Sequence, residues 1–146
     1  MEIHSLIIMI IMIVLFLLVI DDIYKRTLEN KYILLLLVFI LLGWIFQPNW
    51  YVLPYTLAIL LFGLALFVFR ILAAGDTKLL VVLSLGINPE YIPLTLIGIS
   101  VAGGLMASGY FLYGLCTNLD AVRQKGIPYG VPISLVGGLA VYLSSL

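Results

Sequence analysis

Charge and cysteine are what this chain has least of. Only 10% of its residues are charged and 64% are hydrophobic, whereas a soluble domain is about a quarter charged and about half apolar. At a mean hydropathy of +1.28, there are too few polar side chains to cover a water-facing surface, which excludes an ordinary soluble globular protein. The single cysteine, Cys116, excludes an intrachain disulfide and a cysteine-rich zinc site, and a small apolar residue near a helix end needs no special role. His4 is the one histidine and has no companion with which to hold a metal. The formal net charge of zero offers nothing to nucleic acid. No metal, cofactor or nucleic-acid partner is expected, and the expected solvent is membrane lipid. The opening stretch MEIHSLIIMIIMIVLFLLVI has no basic start and no A-x-A site, and its apolar run is too long for a signal peptide. It is expected to be a retained first span.

What is present is a series of six apolar segments: Ile3–Ile20, Tyr32–Phe46, Val52–Leu72, Leu79–Ile87, Ile92–Cys116 and Val131–Leu146. Backbone groups in hydrocarbon have no water to bond, so each segment must be helical. The expected fold is therefore all-α, a polytopic membrane protein of six transmembrane helices making one membrane-embedded domain over residues 1–146. Glycine, proline and asparagine gather between the segments, in QPNWY, AAGD, INPEYIP and KGIPYGVP. All 7 basic residues fall after the first, third and fifth segments: Lys25, Arg26 and Lys31, then Arg70 and Lys78, then Arg123 and Lys125. The positive-inside rule puts those loops in the cytoplasm and both termini outside. The fourth segment is short. Thr77 to Ile87 makes about 16 Å of helix against a hydrocarbon core about 30 Å thick. Either the bilayer thins there or the helix starts below the cytoplasmic surface, which would recess Asp76 among its neighbours. Small residues (Gly98, Ala102, Gly103, Gly104, Ala107 and Ser108 in the fifth segment, Gly137 and Gly138 in the sixth) allow helices to approach closely.

Ionisable groups at membrane depth are expensive, so each is a functional candidate. Glu2 and Glu90 belong to the outer side; Asp21, Asp22, Glu29, Asp76 and Asp120 belong to the cytoplasmic side. Asp76 precedes an apolar helix, where capping of free N–H groups is a sufficient reason for an aspartate. Asp22 ends the first span, where an acid opposes the helix dipole; a polar flank beside Lys25 and Arg26 is the plainer account. Neither account explains two acids closing the same face of one bundle. A pair of carboxylates a few ångströms apart shares a proton, so one can take a proton from water while the other donates to a carbonyl oxygen. That is peptide hydrolysis without a nucleophilic side chain or a metal.

Two stretches carry a resemblance. DIYKRTLEN runs from Asp22 to Asn30, an aspartate ending a span eight residues before an asparagine, and this spacing selects Asp22 over Asp21. AAGDTKLL, residues 73–80, places Gly75 and Asp76 ahead of Lys78 and Leu79. A third stretch, IPYGVPISLVGGL at residues 127–139, opens the last span with prolines and glycines. In these the chain resembles the type IV prepilin peptidases, membrane aspartic proteases of the GxGD class, and most closely their short form serving tight-adherence (Tad/Flp-type) pili. The resemblance runs over nearly the whole chain in the family's order. It departs at Glu29, where the family has proline, and at Ala73, where G-x-G-D has its first glycine. The second departure questions any need for glycine-only backbone angles, and the first adds a third acid able to alter the pH range.

The resemblance implies a cytoplasmic-membrane aspartic endopeptidase with Asp22 and Asp76 as the catalytic pair, facing the cytoplasm. Its substrate would be a prepilin with a short basic leader and an apolar helix. The cysteine tetrad and insertion of methylating relatives are not in this sequence, so N-methyltransferase activity is not expected. Supporting roles fall to Gly75, Lys78, Asn30, Pro128 and Tyr129. For Lys78 inward positive charge is an equal explanation, and for Pro128 and Tyr129 a simple helix start. Arg70 is expected to snorkel to headgroups. The alternative function is a non-enzymatic membrane protein, a proton-coupled carrier or pilus-assembly subunit, in which the acids relay protons; six short spans without an inverted repeat fit a carrier poorly.

Overall fold

The computed structural model describes residues 2–120, 122 and 126–146, so Arg123 and Lys125 of the orientation argument lie outside the described residues. Among those described the structure is helical with no strand. Six helices with fully described bounds carry it: α1 (Glu2–Lys25), α2 (Asn30–Phe46), α3 (Leu53–Val68), α4 (Ala74–Leu85), α5 (Ile92–Cys116) and α6 (Gly130–Ser144). Short 3₁₀ turns, Trp50–Val52 and Pro89–Tyr91, lead into α3 and α5. With those turns, three helical stretches are long and apolar enough to cross a membrane: Ile3–Lys25, Trp50–Val68 and Pro89–Cys116. The other three are shorter than a bilayer's hydrocarbon thickness.

α1, α2, α4 and α6 pack around a common centre, while α3 leans on α4 and α5 on α6. Leu18, Leu36, Leu79, Leu83, Ile87 and Ile133 are fully buried there. The large apolar residues left exposed, such as Phe16, Phe62, Leu94 and Leu105, line the outside, as expected where the solvent is hydrocarbon. Close approach is set by glycines. A methyl group on Gly63 of α3 would sit 2.5 Å from Thr77 Cγ2 of α4, and one on Gly138 would sit 2.9 Å from Leu15 Cδ1.

α4 is the shortest of the six, 12 residues or about 18 Å; Ala73 and Ala74 at its start are exposed, while Val82, Leu83 and Ser84 near its end are buried. Its last carbonyls would be costly orphans in an apolar setting. Trp44 Nε1 donates to the carbonyl of its last residue, Leu85 (3.0 Å), and Asn49 Nδ2 to that of Ile87, two residues beyond the helix (2.9 Å). The helix starts earlier than its apolar run. Ala74, Gly75, Asp76, Thr77 and Lys78 already form its first turns, because nothing in them forbids helix once Ala73 has supplied an extended N-cap. α3 stops at Val68, short of Leu72. The Arg70 and Ile71 amides fold back to the carbonyls of Phe67 and Leu66 (both 2.9 Å), a Schellman closure with Arg70 at φ 58°.

The Gly63–Thr77 contact gives a direct test of the packing. Thr77 is β-branched and buried, with its hydroxyl donating to the Ala73 carbonyl (3.2 Å), so it has little room to yield. Gly63→Ala is expected to cost about 1–3 kcal/mol, read as a lowered Tm in detergent. An unchanged Tm would mean that α3 does not press on α4 as described.

Candidate active site

Asp22 lies in the last turn of α1 and Asp76 in the first turn of α4. Both are buried, at 5% and 6% exposure, in a chain where most charges are not. They come from helices that meet mainly through α2 and α6, yet each lies within the other's electrostatic reach. Asp21 points elsewhere: Lys25 Nζ stands 3.0 Å from its Oδ1.

A helix start stands beside each acid. Asp76 stands three residues past the N-cap, and its side chain reaches back to the Ala73 amide, the acid half of a capping box. The helix-capping account of Asp76 is thus partly realised, from inside the helix. Asp22 sits at the unfavourable end of its own helix, but the start of α6 faces it. Gly130, its first residue, lies against the Asp22 carboxylate, whose Oδ2 closes no hydrogen bond, while the Val131 amide bonds the Pro128 carbonyl (3.2 Å). That approach is possible because residue 130 has no side chain: a Cβ there would lie 2.6 Å from Asp22 Oδ2 and 3.1 Å from Leu28 Cδ2. Leu28 is the wedge between the two acids' supports, since a Cβ on Gly75 would meet its Cβ at 3.2 Å.

These contacts change the account of two motif positions. Gly75 is an ordinary helical residue without positive φ, so glycine is used there for closeness to Leu28 and not for a turn. Ala73 takes φ −75° and ψ 153°, a conformation open to any residue, so alanine in place of glycine strains nothing. Lys78 and Asn30 are brought together, Nζ to Oδ1 at 3.2 Å, on the exposed rim. Pro128 is fully buried. Tyr129 is half-buried, with its ring against Gly103 of α5.

Two apolar hollows lie beside α4, and neither acid is in their lining. One, of about 600 Å³, lies among α2, α3 and α4 and has Asn30, Lys31 and Lys78 at its rim. The other, of about 530 Å³, separates α3 from α5 and is floored by α4 and α6, with Gly63, Gly103, Gly104 and Tyr129 in its walls. At the opposite end of the bundle His4, Gln47, Asn49, Asn88 and Ser144 line a smaller cavity of about 150 Å³.

Residues the motifs did not single out also shape the site. Gly130 was hidden in a stretch that looked like a simple helix start. Arg26 looked like one more cytoplasmic charge, yet it is half-buried, sits at φ 55° and bonds to α5 and to the segment before α6. Only its position four residues after Asp22 could have marked it. Glu29 is engaged by two cations, Lys25 (2.8 Å) and Lys31 (2.5 Å). Hydrogen bonds from Lys25 and Lys31 lower its pKa to about 2.

The profile of the type IV leader peptidase family matches residues 9–108, a span that holds both acids. No curated protein and no solved structure matches the chain.

The Glu29 ion pairs make a pH prediction with a definite sign. A carboxylate whose folded pKa is lowered stabilises the fold above its ordinary value of 4.5 and loses that contribution as pH falls toward about 2. The Tm difference between the parent and Glu29→Gln should stay constant from about pH 8 to pH 5 and narrow only in acid. A difference that changes between pH 6 and 8 would show that Glu29 titrates in the working range.

Proposed function

The chain belongs to the type IV leader peptidase family, and on that premise we propose that it is a membrane aspartic endopeptidase that cuts the leader from a type IV (Flp-like) prepilin, with Asp22 and Asp76 activating one water. Membership carries protease activity in general. The observation that supports the finer reading is the meeting of two buried carboxylates, from α1 and α4, at one end of an apolar bundle.

The chemistry follows from their proximity. The pair holds one proton between them, and titration belongs to the pair. The ionised partner takes a proton from water as its oxygen attacks the scissile carbonyl, and the protonated partner donates to the carbonyl oxygen. Collapse of the tetrahedral intermediate breaks the C–N bond, and the amine leaves with a proton returned by the first carboxylate. Gly130 packs against one acid and the other is held in the first turn of α4, so both are positioned before the substrate arrives.

The membrane arrangement is part of the proposal. Six crossings with both termini outside bring Lys25, Arg26, Lys31, Arg70 and Lys78 to the cytoplasmic face, where water reaches the acids. The substrate's apolar helix lies in the cleft between α3 and α5, whose glycines admit a helix closely, and its basic leader stays in water.

Asp22→Asn and Asp76→Asn are each expected to abolish processing of a coexpressed prepilin, a loss of about 10⁴-fold, with membrane insertion intact. Gly130→Ala, which drives a methyl group into the Asp22 carboxylate, should lower cleavage at least about tenfold. Full processing by either asparagine variant, read as a leader-length shift on gels, sinks the proposal.

A further inference from the structure

The geometry points to Arg26 as a positioning residue that holds the start of α6 against Asp22. This rests on the peptidase reading above for its consequence, but on contacts alone for its physical basis. Arg26 closes α1: its amide donates to the carbonyl of Asp22 itself (3.1 Å), a left-handed C-terminal cap. That backbone conformation, φ 55°, is one that arginine rarely adopts and glycine adopts freely. Strained conformations persist where the surroundings over-determine them, and here the side chain supplies the reason.

Its Nη1 donates to the Gly126 carbonyl (2.9 Å) and its Nη2 to the Tyr110 hydroxyl of α5 (3.1 Å), with the guanidinium 5.2 Å from the Tyr110 ring centroid. One side chain therefore ties the turn that carries Asp22 to α5 and to the segment entering α6. From Gly126 the chain reaches Gly130 in four residues. Buried Pro128 stiffens that path, and the Tyr129 amide bonds the Ile127 carbonyl (2.9 Å). A tether on Gly126 is thus passed over a short, stiff link to the residue that touches Asp22.

Arg70 is a built-in comparison. It caps α3 with the same left-handed backbone, φ 58°, and its exposed side chain reaches no described partner. If arginine mattered at these caps only for the backbone, glycine would improve both.

The experiment compares Arg26→Gly, Arg26→Lys and Arg70→Gly with the parent, in cleavage of a prepilin and in amide hydrogen exchange over residues 126–131. Arg26→Gly should keep the parent's Tm or raise it, lower kcat at least about tenfold with KM within about threefold, and speed exchange at Gly130 and Val131 by about tenfold or more. Arg26→Lys, which keeps one contact at a time, should recover part of the loss in kcat. Arg70→Gly should leave kcat within about twofold of the parent. Parent-like kcat or parent-like exchange in Arg26→Gly overturns the proposal, as does a fall in kcat that Arg70→Gly reproduces. If the parent itself fails to cut any prepilin, the peptidase reading falls, and exchange at residues 126–131 still decides whether the clamp exists.

Discussion

Everything at the candidate site depends on one close approach, the start of α6 against the Asp22 carboxylate. A buried acid without donors is among the costliest features an apolar bundle can contain. Asp22 also sits where its own helix dipole opposes it. The start of another helix faces it, and comes that close only because residue 130 has no Cβ. The small-residue character of α6 is thus electrostatic at its first turn and steric farther along, where Gly137 and Gly138 meet Leu83 and Leu15.

The second acid is held by a different device. Asp76 belongs to a helix too short to span a bilayer, walled by α2, α3 and α6. Burial of the helix makes its shortness tolerable, since Trp44 and Asn49 bond the carbonyls of Leu85 and Ile87 at and just past its end.

Much of this was legible in the residues. Long apolar runs must be helical in hydrocarbon, so the helices α1 to α6 follow from composition and punctuation. The short fourth run pointed to a recessed Asp76, and the spacing to Asn30 separated Asp22 from Asp21. What could not be read was cross-helix contact. The packing of Leu28 against Gly75 has no local signature, and Ala73 stands out as a departure although its backbone is ordinary. Glu29 resembled a third titrating acid, because the two lysines that hold it ionised lie four residues before it and two after, at a bend whose geometry no local pattern specifies. Arg26 was counted as charge, since the Gly126 carbonyl that it holds is 100 residues away in sequence.

The cleft between α3 and α5 has a kinetic meaning on the proposed reading. It is lined mostly by apolar and small residues. A partner helix already resident in the bilayer would arrive by gliding in the plane, in two dimensions and at fixed depth. Encounter would then be governed by lipid viscosity and by crowding among membrane proteins. Ionic strength, which tunes charge-steered meetings in solution, would have little hold on it.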